Sequence, residues 1–484
     1  AISTTISNGN RENDGETFTL DSGPDDKKFI RTTKGSSDKN GYDLNVNYDK
    51  KFKNPKQKLT SYARFSDGLN DGLNEYFNTD KGGYDYVNSD RATNGQDGTS
   101  SGYDFKLDYV HPFNEGSKIE IGFASKSTDR GDKQIAEVFN ESTNSFVSDK
   151  EFSNEFVYNE TVHAAYLQYG GSIGFFGINA GGRYETVDMF SELKTTNEKF
   201  KNPYSSFYPS LSVTFGAPQL LQIQTSYSKR VNRPRSRMLN PFSSRQDSKN
   251  LRVGNPFLKP EYTDSYEINF SRFSRGLSLS LGGYYRHTTD KMQRHKEMRA
   301  DGVCVATYAK ITDQKTQGID YSVVGSLGRK LRLMFSGSVF WDEINTDLYG
   351  SDFDNTSQGQ RLRFTTMWNL NPTTEFSFFM FYMPARDIAI GRMDAMSFSS
   401  MSVKKKFMEE RFNLTLNISD PFNLSGFSFY TEGETWEQQS SRNWSSRTAR
   451  LTLEYRFGKM EDKSRYSRKR GQGMDMEEGA GEIF

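Results

Sequence analysis

Apolar and polar residues alternate with a period of two along most of the chain. The clearest windows are 42–48, 103–109, 221–227, 277–281, 412–418 and 451–457. In each of them an apolar side chain occupies every second position, with Thr225 as the one exception. Successive side chains of a β-strand point to opposite faces of the sheet. Each window therefore predicts a strand with one apolar face and one strongly polar face.

The connections between these strands fall into two length classes. The short class comprises residues 51–57, 111–117, 170–174, 216–219, 273–276, 327–330, 371–374 and 407–411. The long class comprises residues 66–100, 126–158, 187–204, 231–262, 289–306, 342–357 and 420–445, with one further tight link near Pro384. Short turns that alternate with long loops are typical of an outer-membrane β-barrel, whereas a Greek-key sandwich has no reason to segregate its loops by length.

The composition fits a barrel better than a large soluble core. Hydrophobic residues make up 34% of the 484 residues and aromatic residues 14%, with 63 basic against 62 acidic side chains. No stretch approaches the roughly 18 apolar residues of a membrane-spanning helix, which excludes a helical membrane protein. The balanced charge argues against a nucleic-acid partner. Half of each strand would instead face the lipid bilayer, which replaces part of the missing core.

Aromatic side chains at the ends of the apolar faces fit the strands of a membrane barrel. We expect three pairs to lie at the two headgroup levels of the bilayer as aromatic girdles, namely Tyr42 with Tyr48, Tyr103 with Tyr109, and Tyr455 with Phe457. The polar partners, among them Asp43, Lys106, Glu454 and Arg456, would line water or a plug.

The strand count suggests that the visible barrel is incomplete. The pattern gives about 17 strands within a range of about 16–18, whereas bacterial single-chain barrels have an even number. Ile2, Thr4 and Ile6 form part of a further strand that runs into a polar loop from Asn8 to about Asp38. We therefore expect an all-β transmembrane antiparallel barrel over residues 1–458, with a partial strand and loop at 1–38, as the C-terminal part of a larger barrel.

Residues 459–484 form a charged tail behind the last strand. A basic cluster, which includes Lys463 and Arg470, precedes an acidic cluster, which includes Asp475 and Glu482. The tail is expected to be periplasmic, and two interpretations stay open. It is either a disordered segment that neutralises itself or a docking segment for a periplasmic partner.

A long motif follows the strand that ends near residue 231, with the strings YSKRVNRPRSRMLNPF and LRVGNPFLKPEYTDSYEINFS. This run resembles the outer-membrane β-barrels of the TonB-dependent receptor superfamily, particularly the group common in Bacteroidetes. The matching positions are Tyr227, Arg230, Asn232, Arg233, Pro234, Leu239, Asn240, Pro241, Gly254, Asn255, Pro256, Leu258, Pro260, Glu261, Tyr266 and Glu267. Weaker matches are residues 418–423 (ISDPFN), which resemble a penultimate-strand ending, and 447–458, which resemble a closing strand that contains Leu451, Leu453, Tyr455 and Phe457.

The residues of this loop also carry a physical interpretation. Four prolines fix φ and remove backbone donors, so the connection cannot continue a ladder and is expected to be a rigid loop over the barrel mouth. Gly254 and Asn255 suit a turn with positive φ. Either the loop is a conformational device that starts the next strand, or Arg233 or Glu261 contacts a ligand directly.

The resemblance implies a function in transport across the outer membrane. Members of the superfamily begin with a plug domain and an energy-coupling box and have about 22 strands, and none of this is visible in the present sequence. The first hypothesis is uptake of an unidentified ligand, with a periplasmic energy-coupling protein or a surface lipoprotein as possible partners. The alternative is a structural or assembly subunit of an outer-membrane complex that transports nothing.

Candidate catalytic and metal chemistry is weak. Cys304 is the one cysteine, and the four histidines have no zinc-type spacing. Two strings, 98–102 and 170–174, fit G-x-S-x-G but do not lie in a strand-to-helix turn. The Asp/Asn-rich segments 66–78 and 351–359 lack the calcium-loop register. We therefore expect no catalytic residue, cofactor or metal site, with an outer-membrane hydrolase as a remote third hypothesis.

Overall fold

The computed structural model describes residues 2–20, 28–80, 91–217, 219–242, 244–245, 250–299, 303–310, 313–328, 330–345, 356–388, 391–408, 410–433, 436–443 and 447–457. The elements in chain order are β1 (Ile2–Leu20), β2 (Lys28–Lys51), β3 (Lys58–Asp80), β4 (Arg91–Pro112), β5 (Ser117–Asn140), β6 (Ser145–Ser148), β7 (Asn154–Ile173), β8 (Phe176–Leu193), β9 (Glu198–Lys201), β10 (Tyr204–Ala217), β11 (Leu221–Asn232), α1 (Ser236–Leu239), β12 (Ser244–Arg245), β13 (Asn250–Arg252), β14 (Glu261–Ser274), β15 (Leu277–Thr289), β16 (Met292–Met298), β17 (Cys304–Lys310), β18 (Asp313–Leu327), β19 (Leu331–Asn345), β20 (Thr356–Asn371), β21 (Thr374–Met383), β22 (Arg386–Ile388), β23 (Gly391–Met393), β24 (Met396–Phe407), β25 (Phe412–Ser419), β26 (Gly426–Gly433), β27 (Trp436–Asn443) and β28 (Thr448–Tyr455). The predicted tail, 459–484, lies outside the described residues.

One antiparallel sheet of 20 strands makes up most of the structure. Two of them, β6 and β9, only prolong hairpins of β5 and β8. The other strands pair in chain order as β1, β2, β3, β4, β5, β7, β8, β10, β11, β14, β15, β18, β19, β20, β21, β24, β25 and β28. Within the described residues, no ladder joins β1 to β28.

The described part of the meander has eighteen strands, within the predicted range of about 16–18. The strand predicted in part at Ile2, Thr4 and Ile6 is β1, whose pairing with β2 places Ile2 opposite Val46. The predicted all-β antiparallel fold class is confirmed.

The two faces of the sheet differ as the alternation predicts. On β15 the apolar Leu279 and Leu281 are 39% and 51% exposed to the surroundings. Leu281 lies opposite Phe270 and Tyr321, whereas Ser280 lies opposite Ser271 and Ser322. The exposed apolar face is the one that the hydrocarbon of the bilayer covers, and the hydroxyl-lined face turns to the lumen.

The predicted loops at 8–38 and 66–100 are wrong in their described parts. Strands β1 to β4 continue through them, and β2 alone has 24 residues. A tilted strand needs about 9–11 residues to cross a bilayer, and 24 residues extend roughly 80 Å. The upper halves of these strands therefore stand in water with polar residues on both faces, which removes the alternation that identified their lower halves.

In their described parts, the eight predicted short links are confirmed as short connections between neighbouring strands at one end of the sheet, while residues 218, 329 and 409 lie outside the described residues. In the turn between β14 and β15, Gly276 has a φ of 83°. This left-handed conformation is accessible to glycine without steric cost, so the chain reverses within two residues.

The described parts of the long connections at the opposite end contain two small sheets. Strands β12, β13, β17 and β16 form one, and β22, β23, β26 and β27 form the other. We call these the first and second loop sheets. The predicted tight link near Pro384 is wrong in length, because the connection from β21 to β24 spans 384–395 and contains β22 and β23. Among the described residues, no helix has the length and apolar character needed to cross a bilayer.

Two lysine substitutions on neighbouring positions of β15 test the assignment of the faces. Leu281→Lys places a charge in hydrocarbon and should lower the free energy of unfolding by about 2–4 kcal/mol. Ser280→Lys, the matched control, places the same charge in the polar lumen and should have a much smaller effect. Urea unfolding in lipid vesicles measures both, and equal destabilisation by the two substitutions would contradict the assignment.

Candidate functional site

The described parts of the motif loop, residues 233–242, 244–245 and 250–260, lie at the long-loop end of the barrel. Within it, Leu239 and Leu258 are 1% and 2% exposed. They belong to a buried apolar cluster whose other members come from β7, β8 and β16, namely Phe156, Tyr158, Met189, Leu193 and Met292. We call the loop together with this cluster the cap.

A glycine and an asparagine fix the course of the loop. The amide of Gly254 donates to the carbonyl of Asn240 at 2.8 Å, and that of Asn255 donates to Met238 at 2.7 Å. The predicted positive φ is wrong, because neither Gly254 nor Asn255 has one. Glycine is required instead by close approach, since a Cβ on residue 254 would lie 2.4 Å from the Asn240 oxygen. The Asn255 side chain accepts from the amide of Phe257 and donates to the carbonyl of Tyr308, at 3.0 Å each.

The prolines end the ladder, as their chemistry predicts. Strand β11 stops at Asn232 and β14 begins at Glu261, and the two residues face each other in register. Between them, Pro234 is fully buried, and the carbonyl of Pro256 accepts a hydrogen bond of 2.9 Å from the Asn202 side chain. The loop is thereby tied to the connection between β9 and β10.

Arg233 is paired inside the cap. Its Nε donates to the Tyr204 hydroxyl at 2.8 Å, and its guanidinium forms an ion pair with Glu185. Glu185 also accepts from Arg183 at 2.6 Å, and its side chain is only 6% exposed. Burial opposes the charge of Arg233, but its interactions with Tyr204 and Glu185 outweigh burial and hold the pKa of the guanidinium above its ordinary value.

Glu261 joins three elements. Its carboxylate accepts from the Asn232 side chain at 2.8 Å and from the amide of Met292 at 2.6 Å, with the Lys291 Nζ at 3.5 Å. It is 4% exposed. Arg233 and Glu261 both have their polar groups satisfied within the cap. The geometry therefore favours a structural role, in which the loop sets the start of the next strand, over direct ligand contact. Arg230, by contrast, is exposed near the top of β11.

A family model described as the outer membrane protein beta-barrel family matches residues 50–455. The chain belongs to this family. The match spans β3 to β28 and the cap and places the protein in the outer membrane as a multi-stranded barrel. A comparison with curated proteins finds no match.

Solved structures show the same fold at low sequence identity. The FrpB iron transporter from Neisseria meningitidis (F5-1 variant) aligns with a TM-score of 0.53 and 11% identity over 94% of this chain and 81% of that chain. The siderophore receptor PiuA from Acinetobacter baumannii gives 0.56 and 11% over 94% and 77%. The ferric yersiniabactin uptake receptor FyuA from Yersinia pestis gives 0.53 and 10% over 91% and 73%. The resemblance to the TonB-dependent receptor superfamily is thus confirmed for the fold.

The two weaker motifs also have defined places. Asp420 follows β25, is 1% exposed, and accepts from the amides of Leu424 and Ser425 at 2.9 and 3.2 Å. It stabilises the turn that ends this strand. The last strand, β28, pairs with β25, and its apolar face carries Leu451, Leu453 and Tyr455, followed by Phe457.

One side-chain pair relevant to hydrolysis was not predicted. On the outer face of the barrel, Ser125 Oγ lies 2.9 Å from His163 Nδ1 and 3.3 Å from the Tyr103 hydroxyl. Ser125 is 7% exposed and lies within the ladders of β4, β5 and β7. Within the described residues, no third group is hydrogen-bonded to the imidazole. The pair therefore lacks the accessible nucleophile and oriented base of a hydrolase.

The other weak candidates occupy structural positions. The string at 98–102 lies inside β4, and that at 170–174 ends β7 at Gly174, which has a φ of 59°. Residues 66–78 are part of β3, whereas 351–355 lie outside the described residues. In the described part of the chain, no group of three or more His, Cys, Asp or Glu side chains is arranged to hold a metal ion.

A single methyl group at residue 254 tests the role of the cap. Gly254→Ala forces the Asn240 carbonyl aside and should destabilise the cap by about 1–3 kcal/mol while the barrel stays folded. Hydrogen exchange should then become faster in residues 233–260 but not in β14 and β15. Gly325→Ala, where the added Cβ has no neighbour within 4 Å, is the control. Unchanged exchange in Gly254→Ala would show that the cap does not depend on this contact.

Proposed function

We propose that this protein takes up a ligand across the outer membrane. The ligand is captured among the long connections and passes through the polar lumen, with energy supplied by a periplasmic coupling protein. The relatives named as an iron transporter and as siderophore receptors support uptake as the role of the shared fold. We propose no catalytic activity and no resident cofactor.

The main support for this proposal is that the two ends of the barrel differ in the length and structure of their connections. One end has turns of a few residues, which hold no ligand. The other end carries the cap and the two loop sheets, which present defined side chains. Extensive ordered structure on one side of a membrane is expected of a receptor that selects its ligand on that side.

The lumen wall below the cap is suited to a polar solute. A cavity of about 320 Å³ lies along β14, β15, β18, β19 and β20 and includes Asn269, Asp320, Ser336, Arg361 and Arg363 in its lining. Charged and amide groups of both signs along a wide barrel replace part of the hydration of a passing ligand. A purely structural barrel has no need of such a lining.

The tall strands give the alternative function a specific basis. The upper parts of β2 to β5 rise beyond the membrane as a polar sheet, which offers a surface for an envelope partner. A subunit that only assembles a complex would bind its partner at this surface and would pass no ligand through the lumen.

Growth medium analysed by mass spectrometry separates the two functions. Cells with the protein should deplete at least one solute faster than cells that lack its gene, and collapse of the proton gradient should abolish the difference. Cells that carry Gly254→Ala should lose the depletion but keep any co-purifying envelope partner, and Gly325→Ala serves as the control. Identical media from all strains, together with partner complexes that depend on the protein, would replace uptake with the scaffold function.

A further inference from the structure

Cations line one face of the first loop sheet. Arg252 of β13 lies opposite Ala306 of β17, which in turn lies opposite Lys296 of β16. The three positions form one row across three strands, with neighbouring strands about 4.8 Å apart. Arg294 lies two residues before Lys296 and shares its face. We call Arg237, Arg252, Arg294 and Lys296 the basic patch, since Arg237 of α1 acts on the charge of Arg252.

In the part of the chain that the structure describes, the arginines of the basic patch are not neutralised by carboxylates. Among the described residues, none has a carboxylate oxygen within 4.0 Å of Arg237, Arg252 or Arg294. Glu297 of the same hairpin lies on the other face, 3.0 Å from His295. The Nε of Arg252 is buried and has no hydrogen-bond partner among the described residues.

This arrangement lowers the pKa of two basic side chains. Burial and the charges of Arg294 and Arg237 lower the pKa of Arg252, with Tyr308 acting in the opposite direction. Burial and the charge of Arg294 likewise lower the pKa of Lys296. Like charges that are partly desolvated together repel each other, and an anion placed between them removes that repulsion.

The basic patch lies at the entrance to the barrel. Lys296 Nζ is 5.8 Å from the ring centroid of Phe429, which belongs to β26 in the second loop sheet. Tyr308 packs against the apolar cluster of the cap. The patch therefore lies beside the cap with Lys296 close to the second loop sheet, and Ala306, which separates Arg252 from Lys296 in the row, is 5% exposed.

We infer that the basic patch binds a small ligand with two or more anionic groups, carboxylate or phosphate, as the first contact in uptake. Two cations separated by one strand are about 10 Å apart at their Cβ atoms, so converging side chains reach separate anionic groups of one molecule. Arg252 donates through its fork to planar oxyanions, and the neighbouring charges add attraction. This inference rests on the proposed uptake function only for its place in a transport sequence, because binding is measurable without transport.

Isothermal titration of the full-length protein in detergent tests the inference, with citrate and tripolyphosphate as probes and uncharged maltotriose as the reference. The wild type should bind at least one anionic probe, with an affinity that falls as the salt concentration rises. Preference for citrate or for tripolyphosphate identifies the anionic group. Arg252→Gln and Arg294→Gln should each weaken binding about tenfold, because each removes a charge-assisted contact.

Arg275→Gln is the matched control, since this exposed arginine lies in a short turn at the opposite end of the barrel. It should bind as the wild type does. The inference is overturned if the wild type binds neither anion at millimolar concentration, or if the two patch variants bind both anions unchanged. Solute uptake that persists in Arg252→Gln would remove the patch from the pathway and leave the uptake function standing. Anion binding in the absence of any solute uptake would support the basic patch as an anion site and contradict the proposed uptake function.

Discussion

Every structural feature of this protein depends on the pairing of backbone amides and carbonyls inside lipid. Hydrocarbon offers no hydrogen-bond partner, so a sheet enters it only when each strand is paired with the next. The long meander from β1 to β28 meets this demand along its ladders. Once pairing is fixed, alternation assigns every second side chain to lipid and the rest to the lumen. A chain with a mean hydropathy of −0.80 can thus form a membrane protein.

The same constraint explains where conventional packing occurs. A barrel wall one strand thick has no interior layer, so a buried apolar cluster forms only where loops fold back on the strands. On β8 the outward face carries Ile178 and Tyr184, whereas Val187, Met189 and Leu193 belong to the inward face and are buried under the cap. The apolar side chains change face at this height, where the strand leaves the bilayer and enters the cap.

Sequence patterns predicted the parts of the fold that the bilayer dictates. Alternation identified the lower parts of the strands, and glycine and proline chemistry located the short turns. The four prolines of the motif loop predicted that the ladder ends there. The upper parts of β2 and β3 were missed because water surrounds both their faces, which leaves no period to detect. Glu185 and Tyr204 were missed as partners of Arg233 because they come from other strands, although the change of face on β8 gave a usable signal.

The functional interpretation follows from which parts of the chain the bilayer constrains and which it does not. Lipid fixes the wall, the short turns close one end, and the remaining sequence is free to build structure at the other end. Buried Arg233 and Glu261 hold the cap. Arg252 of the first loop sheet, by contrast, is half-buried and has no carboxylate partner among the described residues. A rigid frame beside an unsatisfied charged surface is an arrangement suited to ligand capture.

Spin labels placed one at a time at residues 277 to 282 of β15, in lipid vesicles, test the central claim that one face of each strand meets lipid and the other the lumen. Collision rates with oxygen, which dissolves in hydrocarbon, and with a water-soluble nickel complex report the surroundings of each label. The account predicts that oxygen dominates at 277, 279 and 281 and that oxygen contact drops at 278, 280 and 282, where nickel contact rises. Equal accessibility at all six positions, or a period near 3.6, would contradict the barrel.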